Sequence, residues 1–224
     1  MVLLHVVGFL APWNYWSGGS HGTFWLAAST LLARTGVLSL ANATLTVTLL
    51  AILCLLIGAG FRVWGTAYLG PGAMRGASMV GDRLVAAGPY RYLRNPLYLG
   101  ILFLSLATSL LMPPDGAAFF LVSISAFLLL LIHGEETFLT QQLGQPYLQY
   151  RRDVPRLLPR LAGHIPNSLQ HPDWLRAVLN ELYPIGLTLC FTVFAWRYNA
   201  RLLVKCLLVC YGFSLVVRAL RGKQ

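Results

Sequence analysis

Long runs of apolar residues, separated by short polar stretches, are the dominant pattern along this chain. A helix of roughly 18 or more apolar residues is needed to cross the hydrocarbon core of a bilayer. Residues 45–64 meet this length with one charge, Arg62, and residues 117–132 carry no charge. Seven apolar runs occur: residues 2–13, 24–40, 45–69, 98–112, 117–139, 177–198 and 202–220. The pattern predicts an all-α fold, a polytopic integral membrane helical bundle with about 5–7 transmembrane helices.

The first run and the break before the fifth run add detail to this prediction. Residues 2–13 are short for a crossing, and the sequence leaves open whether they span the membrane. Residues 113–116, with the sequence Pro-Pro-Asp-Gly, predict a tight turn. We therefore expect an antiparallel helical hairpin, its first helix short and its second long enough to project beyond the bilayer.

Composition agrees with a membrane location. The 224 residues are 57% hydrophobic and 11% charged, whereas soluble domains carry roughly a quarter charged residues. The net charge of +10 comes from basic residues that lie mostly at the ends of apolar runs, where they contact headgroups and bias orientation. Since no basic helix or stripe stands apart as a soluble module, nucleic-acid binding is not expected.

Neither the cysteines nor the histidines indicate a metal site or a disulfide framework. Cys54, Cys190, Cys206 and Cys210 all lie inside apolar runs and form no CxxC pair. The five histidines have no metal-ligand spacing. We therefore predict no metal site.

Two polar stretches, residues 70–96 and 144–173, interrupt the apolar pattern. An even number of predicted crossings separates them, so both are expected on the same side of the membrane. They contain eight arginines: Arg75, Arg83, Arg91, Arg94, Arg151, Arg152, Arg156 and Arg160. The positive-inside tendency places this side in the cytoplasm, where the two stretches could form a shared site.

Two of the candidate constellations lie in these polar stretches. Residues 88–100, GPYRYLRNPLYLG, collect prolines, tyrosines and arginines ahead of a membrane helix, with Pro96 expected in its first turn. Residues 144–159, GQPYLQYRRDVPRLLP, predict a short amphipathic surface helix that ends at Pro155. Taken alone, each stretch is also typical of the membrane interface.

The third constellation is the adjacent pair Glu135 and Glu136, at the end of an apolar run. Carboxylates at a membrane boundary are costly unless they are hydrated or paired, so they indicate a functional site. Neighbouring helical residues point about 100° apart, and we expect at most one of the two to face a given pocket. A solvated extension of the helix is the alternative interpretation.

The order and spacing of these constellations resemble the isoprenylcysteine carboxyl methyltransferase family and its phospholipid methyltransferase relatives. The likeness covers roughly residues 82–159, and Glu136 stands eight residues before Gly144 as in that family. It implies a multi-pass membrane methyltransferase that uses S-adenosylmethionine (SAM), with cofactor-binding loops in the cytoplasm. The implied acceptor is lipid-like: an isoprenylcysteine-type carboxylate on a prenylated substrate, or a related small lipophilic molecule.

The resemblance also implies a division of the chain and a set of cofactor contacts. Residues 1–69 would be N-terminal transmembrane helices, residues 70–160 the methyltransferase core, and residues 161–224 a connector and a C-terminal helix pair. The implied cofactor-binding residues are Leu84, Val85, Tyr90, Asn95, Pro96, Tyr98 and Glu135.

Among the implied contacts, Glu135 would hold the ammonium and sulfonium of SAM, because a partly desolvated carboxylate favours cations. Arg94 and Glu136 would bind the cofactor's carboxylate or position other groups. Transfer to a carboxylate needs no general base, so no catalytic acid or base is assigned.

Two positions depart from the family pattern. The family commonly has Arg-His-Pro where this chain has Arg94-Asn95-Pro96, and asparagine cannot titrate near neutral pH. Eukaryotic members that methylate prenylated proteins carry an arginine where this chain has Leu131. A different small lipophilic acceptor is therefore at least as well supported as a prenylcysteine carboxylate.

Three further functions stay open. A phospholipid amine N-methyltransferase would share the cofactor motifs, although an amine acceptor must lose a proton and should require a base. A membrane reductase using NADPH, similar to steroid reductases, would share the pattern GxYxxxRxPxY. A non-catalytic membrane scaffold is the third alternative, and the oligomeric state is left open by the sequence.

Overall fold

The computed structural model describes residues 4, 5, 7, 8, 22–69, 85–160 and 171–221. Every regular element in these ranges is helical, which confirms the all-α prediction. The α-helices are α1 (Phe24–Arg34), α2 (Leu40–Tyr68), α3 (Pro96–Ser109), α4 (Pro114–Leu143), α5 (Gln145–Asp153), α6 (Trp174–Asn180), α7 (Leu182–Arg197) and α8 (Ala200–Arg221). A 3₁₀ turn, Gly88–Arg91, precedes α3. Leu84 and most of residues 2–13 lie outside the described residues.

Capping side chains and prolines mark where several helices begin. The side-chain oxygens of Thr23, Ser39 and Asp173 accept hydrogen bonds from backbone N–H groups three residues later, at 3.3, 3.2 and 3.0 Å. Each bond satisfies a donor that has no partner within its helix. Pro96 and Pro114 are the first residues of α3 and α4, where a missing N–H costs nothing. The predicted position of Pro96 is thus confirmed.

The turn between α3 and α4 lies earlier than the sequence pattern predicts. The pattern places it at residues 113–116, whereas α4 already begins at Pro114 and residues 110–113 form the turn. Proline presets a helical backbone, and Asp115 in the first turn of α4 is favoured by the helix dipole. The expected length difference is present, since α3 has 14 residues and α4 has 30.

Two helices, α2 and α4, are long and apolar enough to cross a membrane by length and composition. Helices α6 and α7 meet at a 66° bend and would give a third span if the pair is one broken span. The described residues thus form a multi-pass membrane protein with two or three candidate spans, fewer than the predicted number. One reason is that the run 24–40 is interrupted: α1 ends at Arg34, before Gly36, whose φ is +77°.

Contacts divide the chain into two units, each built from separate segments. The first contains Met1–Gly58, Leu102–Phe127 and Tyr183–Gln224, and the second contains Ala59–Ile101 and Leu128–Leu182. The predicted division is into three consecutive segments, residues 1–69, 70–160 and 161–224, whereas each of these units combines separate segments. The predicted division stays a prediction. All three polar constellations fall within the second unit.

An apolar core packs together the described helices of the first unit. Its buried residues are Ala51, Leu55, Leu104, Ala107, Leu187, Cys190, Phe191 and Leu203. At its edge the Trp25 indole donates a hydrogen bond to Thr48 Oγ1 at 2.9 Å, which satisfies a partly buried N–H. The buried core of this unit is mostly apolar. The candidate site residues from the three constellations lie in the second unit.

Candidate functional site

A cavity of about 350 Å³ lies within the second unit, in the size range of roughly 300–1,000 Å³ that is usual for small-molecule sites. Its lining residues are Arg62, Leu69, Val85, Tyr90, Arg94, Asn95, Pro96, Leu97, Tyr98, Ile101, Glu135, Glu136, Leu139, Leu143, Tyr147 and Tyr150. Every described residue that the resemblance implied for the site lies in this wall. Leu84 is the exception that cannot be placed, since it lies outside the described residues.

Glu136 is the centre of a buried polar cluster beside the cavity, and its exposed fraction is 3%. Asn95 Nδ2 donates a hydrogen bond to Glu136 Oε1 at 3.3 Å, and Arg94 Nη2 lies 3.3 Å from the same oxygen. Arg156 Nη2 donates to Glu136 Oε2 at 2.7 Å. The carboxylate is thus compensated by two cations and an amide, and it ties α4 to the chain segments before α3 and after α5.

Arg94 lies across this cluster and keeps one donor free. Its backbone N–H donates to Pro155 O at 2.9 Å and its Nη1 donates to Arg151 O at 3.3 Å. Its side chain is 8% exposed, yet Nε has no hydrogen-bond partner among the described residues. A buried N–H without a partner is costly, so this donor in the cavity wall is suited to an acceptor atom of a bound molecule.

Glu135 lies in the cavity wall beside a neutral partner. Tyr98 Oη donates a hydrogen bond to Glu135 Oε1 at 2.6 Å. Because Tyr98 is near the beginning of α3 and Glu135 near the end of α4, the bond also shows that these helices are antiparallel, as the hairpin prediction requires. Within the described ranges no cation forms an ion pair with Glu135. Its negative charge is therefore available to a ligand.

The expectation that only one of the two adjacent carboxylates would face a pocket is wrong. Both Glu135 and Glu136 line the cavity. Their side chains point in different directions from α4. Tyr98 donates a hydrogen bond to Glu135, and Asn95, three residues earlier, donates one to Glu136. One continuous stretch of chain therefore forms the wall that both carboxylates meet.

A group of tyrosines forms another part of the wall. Tyr150 Oη donates to the backbone oxygen of Tyr90 at 2.8 Å, and the Tyr147 and Tyr150 rings lie with centroids 5.9 Å apart. Burial raises the pKa of Tyr90 well above its ordinary value, and burial together with the charge of Glu136 raises the pKa of Tyr147 to about 12. These phenols are therefore neutral near pH 7 and can donate hydrogen bonds.

The raised pKa of Tyr147 gives a prediction about alkaline stability. A folded-state pKa of about 12, above the ordinary 10.0, means that folding favours the protonated phenol. Its stabilising contribution is fully present below pH 10 and is lost as the pH rises from 10 toward 12. The thermal unfolding midpoint should fall over this interval, and Tyr147→Phe should reduce the fall. An identical pH profile for the variant would contradict the prediction.

A second buried ion pair, absent from the sequence predictions, lies at another part of the cavity wall. Arg62 Nε lies 2.5 Å from Glu181 Oε2 and Arg62 Nη2 donates to Glu181 Oε1 at 2.9 Å. Thr66 Oγ1 donates to Glu181 Oε1 at 2.8 Å. Arg62 had one visible signal, as the single charge within an apolar run, but nothing in the sequence connects it with Glu181.

The sequence predictions also missed most of the apolar wall. These side chains are Leu69, Leu97, Ile101, Leu139 and Leu143. In an apolar membrane segment a leucine that lines a cavity has no pattern that distinguishes it from one that faces lipid. Tyr147 and Tyr150 had a weak signal, since residues three apart on a helix share a face.

A helical membrane protein with a small-molecule cavity is thus the class that fold and site define, and comparison with known proteins narrows it. Residues 46–146 match the phospholipid methyltransferase family. This segment, which holds α3, α4 and most of the cavity wall, is therefore similar to that family, whose methyltransferases use SAM. The resemblance drawn from the motifs is confirmed at this level, and the match does not single out the isoprenylcysteine branch.

One curated relative matches part of the chain. Methanethiol S-methyltransferase 2 of Bradyrhizobium diazoefficiens is 35% identical over 89 residues, which are 40% of this chain and 34% of that protein. The match therefore spans about a third of the relative's length. No solved structure matches the chain.

Proposed function

We propose that the protein is a SAM-dependent membrane methyltransferase that transfers a methyl group to a small lipophilic acceptor. The observation that carries this proposal is Glu135, a carboxylate in the wall of a partly apolar cavity that forms no ion pair with any described residue; it lies within the segment that matches the family. SAM has a sulfonium and an ammonium, and both are favoured by a carboxylate that is partly removed from water. Family and charge therefore point to the same cofactor.

The residues of the cavity fit the other groups of SAM as well. Arg94 offers its unpartnered Nε–H to the carboxylate of the cofactor, which matches the role implied for it by the resemblance. Tyr90, Asn95 and Pro96 contribute polar and flat surfaces beside it, and Val85 an apolar one. When bound, SAM supplies an activated methyl group. The chain's own contribution is to hold the reacting groups close together in a site with little water.

The acceptor side of the proposal rests on the apolar wall. Leucine and isoleucine side chains of α3 and α4, together with Leu69 just after α2, line the cavity, so an acceptor that enters from a bilayer would be accommodated. The name of the Bradyrhizobium relative states methanethiol as its substrate, which favours a small thiol as a first test acceptor. The family name favours a phospholipid amine as a second acceptor, although its deprotonation would call for a base.

We propose in addition that the polar stretches around residues 88–100 and 144–159 face the cytoplasm. Their arginines support this orientation through the positive-inside tendency. A total of about 5–7 crossings would require shorter apolar helices to contribute spans beyond α2 and α4.

Cofactor binding is the direct test. Calorimetric titration of the detergent-purified full chain with SAM and with S-adenosylhomocysteine should show binding of both. Glu135→Gln should weaken SAM binding about tenfold to a hundredfold, since it removes a charge-assisted contact. Tyr98→Phe should have a smaller effect, because it removes only the group that orients Glu135.

Asp153→Asn is the matched control, since Asp153 is an exposed carboxylate at the end of α5 outside the cavity wall. It should bind SAM like the wild type. Binding of NADPH in place of SAM by well-folded wild-type protein would favour the reductase. Binding of neither molecule would favour a non-catalytic scaffold.

A further inference from the structure

We infer that the Arg62–Glu181 ion pair sets the class of acceptor: it gives the cavity a charge-compensated wall that admits an uncharged acceptor and disfavours a carboxylate. The inference rests on the proposed function, because it concerns the acceptor of the same cavity. It adds a specificity-determining pair that comes partly from outside the family segment, since Glu181 lies beyond residues 46–146.

The geometry of the pair holds the guanidinium in one orientation. Two nitrogens of Arg62 meet the two oxygens of Glu181 at 2.5 and 2.9 Å, and Thr66 adds a third bond to the carboxylate. Glu181 is fully buried, with an exposed fraction of 0%, whereas the Arg62 side chain is 20% exposed and lines the cavity. A molecule in the cavity would therefore contact Arg62, whereas Glu181 does not line the cavity and acts by compensating the charge of Arg62.

The charges of the cavity wall leave no free cation for an anionic acceptor in the described part of the chain. The arginines that line the cavity are Arg62 and Arg94. Arg94 shares Glu136 and offers its remaining donor to the cofactor, while the charge of Arg62 is cancelled by Glu181. An acceptor carboxylate would lose water without gaining an uncompensated cationic side chain in the described wall, and this transfer is unfavourable.

A second observation agrees with this conclusion. Leu131 stands where the resemblance places an arginine in members that methylate a carboxylate. Leu131 is exposed, is apolar and does not line the cavity. Neither the position expected from the family nor the pair found in the structure therefore offers a free cation.

The test compares two probes of similar size that differ in charge at pH 7: butanethiol, which is neutral, and butanoate, which is an anion. The full-length protein is first loaded with S-adenosylhomocysteine and is then titrated with each probe by calorimetry at pH 7. The wild type should bind butanethiol at least about tenfold more tightly than butanoate, a difference of about 1.4 kcal/mol. Glu181→Gln leaves the charge of Arg62 uncompensated and should reduce this preference about tenfold or reverse it.

The double variant Arg62→Gln/Glu181→Gln separates charge from structure. It removes both charges, so it should restore the preference for the neutral probe, and unchanged binding of S-adenosylhomocysteine by each variant shows that the fold is intact. Wild-type protein that prefers butanoate or shows no preference would overturn the inference. So would a Glu181→Gln variant with an unchanged preference.

Failure of the proposed function is detected in the same experiment, one step earlier. If the wild type does not bind S-adenosylhomocysteine, the methyltransferase proposal fails before any acceptor is added. If it binds S-adenosylhomocysteine and then shows no preference between the probes, only the inference about Arg62 and Glu181 fails.

Discussion

Replacement of Glu136 with alanine should destabilise the protein by about 3–5 kcal/mol, because it leaves buried Arg94 without its carboxylate. The same change removes one of the two acceptors of the Asn95 amide and one partner of Arg156. For a chain of this length the thermal unfolding midpoint should fall by about 6–20 °C. SAM binding should be lost as well, since Arg94 and Asn95 both line the cavity.

Arg156→Gln is the matched control for this prediction. The Arg156 side chain is 38% exposed and donates to the same carboxylate, so water can replace much of what is removed. Its effect should stay near about 1 kcal/mol, because the guanidinium is exposed and Arg94 and Asn95 still compensate the buried Glu136. A fall for Glu136→Ala no larger than that for Arg156→Gln would show that Glu136 does not stabilise Arg94 as the structure indicates.

The local part of the site could be predicted from the sequence because its residues are close together along the chain. Asn95 and Tyr98 are three residues apart, and their partners Glu136 and Glu135 are adjacent. Motif spacing was therefore enough to predict which residues form the site. The structure added which carboxylate accepts a hydrogen bond from which side chain. This pairing of Asn95 with Glu136 and of Tyr98 with Glu135 follows from the antiparallel arrangement of the hairpin.

The Arg62–Glu181 pair could not be predicted in this way. Its members are 119 positions apart, and an isolated charge near the end of an apolar run is equally consistent with an interfacial anchor. Only the bend between α6 and α7, where Glu181 lies, brings the carboxylate to Arg62 and Thr66. Long-range pairing of this kind depends on packing, which a pattern of apolar residues does not specify.

Helix positions were predicted better than helix ends. Apolar runs identify a segment but stop wherever a polar residue happens to occur, while the structure ends helices at caps and special backbone conformations. Two helix ends differ from the predicted ones: α1 ends before Gly36, and α4 begins at Pro114. Both residues act through backbone geometry, to which hydrophobic periodicity is insensitive.

Gly88→Ala should be the most damaging of three single glycine substitutions, with a loss of about 2–5 kcal/mol. Gly88 has a φ of +55°, which costs a residue with a side chain roughly 1–2 kcal/mol. A Cβ at this position would also overlap the ring of Tyr68, and overpacking adds about 1–3 kcal/mol. Since Gly88 begins the turn that carries Tyr90, SAM binding should weaken together with stability.

The other two substitutions separate these causes, and thermal unfolding with SAM titration measures all three. Gly144 has a φ of +59° and a ψ of −131°, with no atom within 4 Å of an added Cβ, so Gly144→Ala should cost only the backbone strain, about 1–3 kcal/mol. Gly134 lies inside α4 with equally open space, and Gly134→Ala should stabilise by about 0.5–1 kcal/mol. Equal losses at Gly88 and Gly144 would mean that the Tyr68 ring moves aside freely. In that case the turn that carries Tyr90 is held by its backbone conformation alone, and not by packing against α2.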